Sequence, residues 1–515
     1  MYIATSEIIK AIDKKAESLG ISTRALMGRA GEAVAEVVRS LSPGGRVLIL
    51  AGKGNNGGDG YAAALALRHS HEVTVYDIFD GGQKSEAGKY YLSECEREGI
   101  AISRGDGLST LICRADVVVD GIFGTGFSGE LSAFLGNVAQ TVNESAARVV
   151  AIDLPLGVNG DTGECAEHTV RADITVALCL PKPAHLSYPA REYMGKLVMS
   201  SLGLEALLRE TPFGFSYIAT DGEQARRLMP KRSATANKGS FGKTLHVTGS
   251  DKYRGAAHLA LEAALRSGVG ITAHLDLTSA LYGNKVNIPS GATLTEELRL
   301  KFPEAIYESI PENIHPVSHI CFISKKYTTT LVGSGSGVSK ELYSLIRALL
   351  TTEGGPLVLD ADAINSVSEF GSPEDLKSAK RRVILTPHPK EFSRLSGISI
   401  EYINAHRLRV AENFAGEYNV ILLLKGAGTV ITDGKLTYIN TTGSTALSKG
   451  GSGDVLAGLV SSLAAQGIEP LSATALAAYL HGRAGDALSE TLSDYGVTPS
   501  DLPTELAKQM KQLSQ

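Results

Sequence analysis

The sequence of 515 residues predicts two different α/β domains, one after the other. A chain of this length exceeds what one hydrophobic core usually organises, so two or three domains are expected. Short apolar runs alternate with helical patterns in both halves, and the two halves share no obvious repeat. We place the first domain at residues 1–213 and the second at residues 225–515. The segment from about Gly214 to Gly242 is expected to be linker and the entrance to the second domain.

The first domain is predicted to begin with helix and to continue as a parallel sheet. Apolar residues such as Ile8, Ile12, Val34 and Val38 recur at helical spacing near the start of the chain. The runs that follow are apolar throughout and are typical of strands: RVLILAG, EVTVYDIF, DVVVDGIFG, RVVAIDLP and DITVALCL. Strands of this kind are buried on both faces by helices, so the pattern predicts a doubly wound α/β fold.

A second α/β series starts after the linker. Its strand-like runs are KTLHVTGS, ITAHLDL, TTTLVGSGSG, GPLVLDADAIN, RVILTPHPKEFSRL and NVILLLKGAGTVIT. Its helical runs are GAAHLALEAALRSGVG, DVLAGLVSSLAAQ and ATALAAYLHGRAGDAL. Strands that alternate with helices in this way indicate another mostly parallel sheet.

Composition and charge argue against several classes of partner and of structural site. The net charge is −5 and no cluster of lysine and arginine stands out, which argues against nucleic acid or an anionic membrane as the principal partner. The five cysteines contain no CxxC pair, which argues against a disulfide framework or a structural zinc site. The N-terminus carries both signs of charge, unlike a signal peptide, and no apolar run reaches the ~20 residues of a membrane span. We therefore expect a cytoplasmic protein.

A glycine-rich loop with polar residues joins the first strand of the sheet to the next helix. The sequence from Ala51 to Gly60 is AGKGNNGGDG. Glycines let a backbone approach a phosphate closely, and a helix N-terminus favours negative charge. A structural turn is the common alternative for such a loop. Two adjacent asparagines and an aspartate favour a polar ligand, because amides supply both donors and acceptors.

Two further strand ends carry carboxylates. Asp120 ends DVVVD and Asp153 ends VVAID, and each is followed by a loop that contains glycines. In open α/β sheets the carboxyl ends of the strands face the ligand crevice. Each carboxylate alone has an alternative role as a helix cap or turn residue. The loop and the two carboxylates together favour a binding site at this edge of the sheet.

The motifs NNGGDG, DGIFGTG and AIDLPLGVNGDTGE resemble the NAD(P)HX epimerase family over residues 1–213. The resemblance implies a Rossmann-like fold that interconverts the R and S forms at C6 of hydrated nicotinamide nucleotides, with Asp153 as the acid/base residue. The residues that it implies in substrate binding are Asn55, Asn56, Gly57, Gly58, Asp59, Gly124, Thr125, Gly126, Phe127, Ser128, Gly129, Glu130 and Asp153.

The same resemblance implies a potassium ion held by Asn56 and Asp120, since a hard cation suits oxygen ligands. One position departs from the family, which usually has serine where this chain has Leu156. The hydroxyl contact to potassium is therefore absent. The backbone carbonyl of Leu156 is the expected substitute.

A second candidate site lies near the C-terminus, where SKGGSGDVLAG opens a helix. Glycines before the helix present backbone N–H groups to an anion. Asp454 lies in the first turn of that helix, where an acid could merely complement the helix dipole, worth at most ~1 kcal/mol. Its functional role would be that of a base that takes a hydroxyl proton during phosphoryl transfer.

The G-[SA]-G-D pattern resembles the ribokinase-like superfamily. LKGAGTVI is similar to its nucleotide-lining strand–turn–strand, although Lys425 has a surface lysine at a strand end as its alternative. TPHPKE occupies the place of an Asn-x-x-Glu motif that is linked to Mg²⁺, with His388 in place of the asparagine.

The chain resembles the NAD(P)HX dehydratase family over residues 225–515. The motifs that carry this resemblance are the TPHPKE motif with His388, GSDKYRGAAHLALEAALRSGVG, LVGSGSG and TTGSTALSKGGSGDVLAG. The substrate contacts that the resemblance implies are Ala257, Gly335, His388 and Asp454. The contacts that it implies to ADP or ATP are Lys425, Gly426, Ala427, Gly428, Thr429 and Gly453.

The two resemblances imply one repair reaction. A kinase-like site phosphorylates the C6 hydroxyl of the S epimer with Asp454 as base and Mg²⁺ bound with the nucleotide, and loss of phosphate restores NADH or NADPH. The epimerase makes the R form usable. ADP is the expected donor, as in prokaryotic fused enzymes of this type. By analogy with related domains we also expect a homo-oligomer.

Two alternatives remain open from the residues. One is a ribokinase-like kinase of a vitamin precursor, which would release a stable phosphorylated product. His388 and the epimerase-like partner domain count against it. The other makes the N-terminal domain a non-catalytic binding module, against which the joint presence of Asn55, Asn56, Asp120 and Asp153 counts.

Overall fold

A computed structural model of the chain describes residues 1–80, 84–277 and 292–514. The chain divides into two compact units, residues 2–217 and residues 218–515 together with Met1. Each unit is an α/β structure built on a mostly parallel sheet, so the predicted fold class is confirmed. Among the described residues no helix is both long and apolar enough to span a membrane.

The first unit is built around seven parallel strands in the order β4-β3-β2-β5-β6-β7-β8. The seven strands are β2 (Arg46–Ala51), β3 (Glu72–Asp77), β4 (Ala101–Ser103), β5 (Val117–Gly121), β6 (Arg148–Ile152), β7 (Ile174–Leu178) and β8 (Lys196–Ser200), and the short strand β1 (Tyr2–Ile3) lies outside this sheet. The helices are α1 (Ser6–Ser18), α2 (Thr23–Leu41), α3 (Asn55–Leu67), α4 (Glu86–Arg97), α5 (Leu108–Arg114), α6 (Ala133–Glu144), α7 (Pro183–Leu186) and α8 (Glu205–Glu210), with a 3₁₀ turn at Ala190–Tyr193.

Both faces of this sheet are covered, which explains why its strands are apolar throughout. Alternate residues of β2 point to opposite sides: Ile49 packs with α2 and α3, whereas Leu48 packs with α5 and α6. The five strands that were predicted from apolar runs are all present. The two edge strands β4 and β8 were not predicted, because their residues are half-exposed and mixed in polarity.

The second unit contains strands in the order β9-β18-β17-β16-β15-β14-β13-β10-β11-β12. These are β9 (Tyr217–Thr220), β10 (Lys243–Val247), β11 (Ile271–Leu275), β12 (Ile306–Tyr307), β13 (Thr329–Val332), β14 (Leu357–Leu359), β15 (Val383–Leu385), β16 (Ile421–Leu424), β17 (Val430–Thr432) and β18 (Thr437–Asn440). Strands β10 to β16 pair in parallel, whereas β16, β17 and β18 form an antiparallel meander.

The helices of this unit surround its sheet. They are α9 (Gly222–Leu228), α10 (Arg254–Arg266), α11 (Leu294–Lys301), α12 (Pro316–Ser324), α13 (Lys340–Leu350), α14 (Asp362–Phe370), α15 (Pro389–Ser396), α16 (Ile400–Ala405), α17 (Arg407–Tyr418), α18 (Ser452–Ala465), α19 (Pro470–Gly496) and α20 (Leu502–Ser514). In the described part of this unit, 3₁₀ turns lie at Lys238–Phe241, Pro373–Ser378 and Thr445–Leu447.

The segment that was expected to be linker is partly structured. Strand β9 and helix α9 lie within it, and Ala225 of α9 is fully buried in the core of the second unit. The apolar stripe of α9 is short and lies among arginines, so the sequence pattern did not predict this helix. The second unit therefore begins at residue 218, within the segment that was expected to be linker and the entrance to the second domain.

Helix α18, which begins the second candidate site, packs tightly on α10 at a glycine. A Cβ atom added to Gly458 would lie 2.1 Å from the carbonyl oxygen of Ala260. Backbone atoms at that distance cannot yield as a flexible side chain would. Only glycine therefore allows the two helices to approach so closely.

We predict that Gly458→Ala destabilises the second unit by at least about 1–3 kcal/mol, as overpacking of a core usually does. Urea unfolding measures the change. Gly255→Ala on α10 is the matched control, because a Cβ added there meets no atom within 4 Å. A Gly458→Ala protein as stable as the control would contradict the close approach.

Candidate active sites

Glycines bring the loop after β2 against the loop after β5. A Cβ atom on Gly52 would lie 1.9 Å from the carbonyl oxygen of Ile122, and one on Gly57 would lie 2.0 Å from that of Gly52. Helix α3 begins at Asn55 with Gly54 as its N-cap residue. The glycines thus draw three neighbouring backbone segments together at the carboxyl edge of the sheet.

Asn56 connects three backbone segments at this edge of the sheet by hydrogen bonds. Its Nδ2 donates to the carbonyl oxygen of Phe123 at 2.8 Å and to that of Ile152 at 3.0 Å. The side chain is buried, and its Oδ1 lies 3.3 Å from the position that a Cβ of Gly124 would take. One amide therefore connects the start of α3 with the ends of β5 and β6, and leaves its oxygen facing Gly124.

Asp153 lies directly after β6 with φ +62°, a left-handed backbone conformation that is rare outside glycine. Its Oδ1 accepts hydrogen bonds from the backbone N–H of Leu178 at 3.1 Å and from Nζ of Lys182 at 2.5 Å. Oδ2 lies on the side of Gly124, 3.6 Å from the position of an added Cβ. One carboxylate oxygen is thus held and the other is available to a ligand.

Lys182 and His185 support Asp153, and the sequence analysis missed both. Lys182 is 1% exposed and also donates to the carbonyl oxygen of Leu178 at 2.8 Å. The Nδ1 of His185 accepts from the backbone N–H of Lys182 at 2.9 Å, so its Nε2 must donate to the carbonyl oxygen of Asp153 at 2.6 Å. Burial lowers the pKa of His185 to about 4, which keeps the ring neutral.

Asp120 is a fully buried carboxylate at the end of β5. Its oxygens accept from the backbone N–H groups of Ile122 at 3.2 Å and Leu156 at 2.6 Å. Within the described ranges no basic side chain forms an ion pair with it, and burial raises its pKa to about 6. Leu156 contributes its N–H here, while its carbonyl oxygen already accepts from the N–H of Val170 at 2.9 Å.

The predicted substrate residues of this unit fall into two groups. Asn56, Asp59, Gly124 and Asp153 lie around the strand ends and are at least partly buried, and their neighbours Gly57 and Gly58 are buried in the first turn of α3. Phe127 is buried, with its ring 5.6 Å from that of Phe123. The residues that lie largely in the exposed part of the loops are Asn55, Thr125, Gly126, Ser128, Gly129 and Glu130.

In the second unit, Asp454 and Lys425 come together at the start of α18. Asp454 lies in the first turn, and burial, followed by the charge of Asp360, raises its pKa to about 7. The Nζ of Lys425 lies 3.2 Å from the position that a Cβ of Gly453 would take. An ammonium group thus lies beside a glycine helix terminus, an arrangement that suits phosphate.

Asp360 organises this site and was not predicted, although it ends a strand as Asp120 and Asp153 do. Its side chain is 1% exposed. It accepts from Oγ of Ser334 at 2.8 Å, from Oγ1 of Thr386 at 2.7 Å and from Nζ of Lys425 at 3.3 Å. Lys425 is therefore held in place by a buried carboxylate, which rules out the alternative of a free surface lysine.

His388 and Glu391 form the N-terminus of α15. The Nδ1 of His388 accepts from the backbone N–H groups of Lys390 and Glu391 at 3.1 and 3.2 Å. An Oε2 of Glu391 accepts in return from the N–H of His388 at 2.9 Å and lies 4.0 Å from Nζ of Lys425. Burial lowers the pKa of His388, so its neutral ring can cap the helix.

The remaining predicted residues of this unit lie around the same edge. Gly335 has φ +67°, and its carbonyl oxygen accepts from Oγ of Ser250 at 2.8 Å, beside α10 where Ala257 is buried. The turn between β16 and β17 runs from Lys425 to Thr429, and Gly426, Ala427, Gly428 and Thr429 are open to solvent to varying degrees. The predicted strand–turn–strand is confirmed.

Comparison with known proteins matches both units. Residues 245–511 match the sequence model of the family described as NAD(P)H-hydrate dehydratase, and residues 23–184 match that described as YjeF-related protein N-terminus. Bifunctional NAD(P)H-hydrate repair enzyme Nnr of Thermofilum pendens is 33% identical, over 100% of this chain and 97% of its own. The Escherichia coli enzyme of the same name is 30% identical, over 96% of this chain and 90% of its own.

Among solved structures, the ADP/ATP-dependent NAD(P)H-hydrate dehydratase of Bacillus subtilis, co-crystallised with ATP and Mg²⁺, is 26% identical with a TM-score of 0.48, and the match covers 57% of this chain and 98% of that one. The Thermofilum pendens and Escherichia coli relatives both match nearly the full length of the chain and are named for NAD(P)H-hydrate repair, which counts against the vitamin-kinase alternative. The chain belongs to the family of bifunctional NAD(P)H-hydrate repair enzymes, which join an NAD(P)H-hydrate epimerase to an NAD(P)H-hydrate dehydratase.

Proposed function

We propose that the two activities of the family reside in the two strand-edge sites, with Asp153 as the acid/base residue of the epimerase and Asp454 as the base of the dehydratase. The epimerase domain would comprise residues 1–213 and the dehydratase domain residues 225–515. The supporting observation is the same in both: a carboxylate at a strand or helix end has one side open to a ligand and a lysine beside it.

In the epimerase, the open Oδ2 of Asp153 is the atom that exchanges a proton with the hydrated ring. Lys182 and the N–H of Leu178 occupy Oδ1, so they fix the direction of the carboxylate. The glycine loops at Gly52, Gly57 and Gly124 leave room for a dinucleotide close to the backbone. The residues implied by the resemblance in the loop 124–130 would cover the substrate from the solvent side.

We expect Asp153→Asn to abolish epimerisation while dehydration of the S epimer continues, because the amide cannot accept the proton. Absorbance at 340 nm with mixed-epimer NADHX measures both reactions. The wild-type protein should restore NADH from both epimers, and the variant should stop once the S epimer is consumed. Asp161→Asn, which removes a carboxylate that accepts hydrogen bonds from the N–H and Oγ of Ser6 near the chain start, is the control. Full recovery by Asp153→Asn would remove the residue from the mechanism.

Asn56 and Asp120 fit a potassium ion. Asp120 is a buried carboxylate without a basic partner in the described residues, and Asn56 has its oxygen free after its Nδ2 has bonded two carbonyls. The carbonyl of Leu156 fits less well, because it already accepts from Val170. Bound potassium would supply positive charge that offsets the buried carboxylate at the strand ends.

We predict that potassium stabilises the first unit through Asp120. The folded protein raises the pKa of Asp120 from 3.8 to about 6, so without a cation this group costs stability as the pH rises from 3.8 through 6. At pH 8, KCl should therefore raise the thermal unfolding temperature above that in choline chloride of equal ionic strength. Asp120→Asn should lose this difference, and the surface variant Asp116→Asn should keep it. An equal response in all three proteins would contradict the proposed ion site.

In the dehydratase, Asp454 would take the proton of the C6 hydroxyl as the hydroxyl oxygen attacks the terminal phosphorus of the nucleotide, and the phosphoanhydride bond would break to release AMP from ADP or ADP from ATP. Lys425, fixed by Asp360, and the N–H groups at the start of α18 neutralise the phosphoryl group. The ring nitrogen then expels phosphate as C5 loses a proton, which restores the dihydropyridine ring. Mg²⁺ would bind together with the nucleotide and delocalise the phosphoryl charge. Asp360 and Glu391 are the carboxylates that lie beside Lys425 at this site.

ADP is the proposed donor, on the resemblance to fused prokaryotic enzymes, and NADHX or NADPHX is the substrate. The 340 nm assay run separately with each nucleotide tests the donor: faster recovery of NADH with ADP is expected. From the sequence alone we further propose a cytoplasmic location and a homo-oligomer.

We predict that the dehydratase rate rises with pH through about 7, because Asp454 must be ionised to act as a base and its pKa is raised to about 7. Below that pH the rate should fall about tenfold per unit. The negative charge of Asp362 contributes to the raised pKa, so Asp362→Asn should move the midpoint to lower pH. Initial rates from pH 5.5 to 9 measure the profile. A rate independent of pH over this range would contradict the assignment.

A further inference from the structure

Asp59 lies on the face of α3 that points to the epimerase site. It follows Asn56 by three positions, and residues at this spacing share one face of a helix. Asn56 contacts the carbonyl of Ile152, and a Cβ on Gly60 would lie 3.9 Å from the side chain of the same residue. Asn56, three positions before Asp59, and Gly60, directly after it, thus both adjoin the end of β6, where Asp153 follows.

The Asp59 carboxyl is 8% exposed, yet within the described residues it has neither a hydrogen bond nor an ion pair. Burial of a carboxyl without a partner is costly, so proteins rarely leave one without a reason. A role in helix capping does not explain it. Gly54 is the N-cap residue, and Asp59 is the fifth residue of the helix.

Asp59 interacts electrostatically with Asp153 and with the groups around it. Asp153 and Lys182 lie within its electrostatic reach, as do Asp13 on α1 and Tyr91 on α4. Lys182 pairs directly with Asp153 and not with Asp59. Burial, followed by the charge of Asp153, raises the pKa of Asp59 well above its usual range. Two carboxyls in such different environments suit the roles of acid and base.

We propose that Asp59 is a second catalytic residue of the epimerase, the acid that works opposite the base Asp153. The proposal deepens the proposed function and rests on the role of Asp153. Asp59 supplies the proton that the ring nitrogen needs when the ring opens at C6.

The step balances without a co-reactant. The Asp153 carboxylate takes the proton of the C6 hydroxyl, and the electrons of that O–H bond form the C6 carbonyl. The N1–C6 bond breaks, its electron pair stays on N1, and Asp59 gives its proton to N1. Rotation about C5–C6 presents the other face of the aldehyde. Closure of the ring then returns both protons and gives the other epimer.

Interconversion of pure epimers, followed by chromatography without nucleotide so that dehydration cannot occur, tests the proposal. Asp59→Asn keeps the shape of the side chain but cannot give a proton to N1. We expect its kcat to fall by about a hundredfold or more, with KM changed little and the unfolding temperature preserved. Asp13→Asn removes a nearby exposed carboxylate and is the matched control, expected to keep its rate.

The outcomes separate the two proposals. A wild-type rate in Asp59→Asn together with an inactive Asp153→Asn would overturn the role of Asp59 alone. Activity in both variants would overturn the proposed function as well. If Asp59→Asn does not fold, Asp59→Glu provides the test, because a longer acid should shift the basic limb of the kcat profile. A profile identical to that of the wild-type protein would overturn the proposal.

Discussion

Parallel strands place all their carboxyl ends along one edge of a sheet, and both units of this protein bury carboxylates at that edge. A carboxylate removed from water is costly unless a cation or hydrogen-bond donors compensate. The positions of the nearby lysines, amides and N–H groups follow from this requirement. Asp153 has Lys182 at 2.5 Å, and Asp360 has Lys425 at 3.3 Å with two hydroxyls.

The cost of burying each carboxylate is offset by different neighbouring groups. These groups determine which chemical role the carboxylate suits. Asp153 is paired by a lysine on one oxygen and open on the other, which suits a base of fixed direction. Asp120 is satisfied by backbone N–H groups but has no basic partner among the described residues, which suits a bound cation. Burial, followed by the charge of Asp360, raises the pKa of Asp454 to about 7. Four acids of one type, Asp59 included, thus acquire four different environments.

The combination of the two sites on one chain has a chemical reason. Hydroxide is a poor leaving group, so the dehydratase that we propose first converts the C6 hydroxyl into a phosphate ester, and a site built for one configuration at C6 would exclude the other. Carbinolamine carbons can invert once the ring opens, and an epimerase needs only proton transfers. Epimerisation therefore makes both epimers of the hydrated nucleotide available to a single dehydratase.

The sequence by itself determined the features that depend on neighbours along the chain. Apolar runs predicted the buried strands, and acids at strand or helix ends predicted Asp120, Asp153 and Asp454. Lys182 and Asp360 were missed because their roles depend on contacts with residues 29 and 65 positions away. Only the tertiary structure decided which carboxylate receives a lysine and which remains without one. The reason is physical: burial and pairing arise from segments distant in sequence, whereas periodicity and strand ends are local.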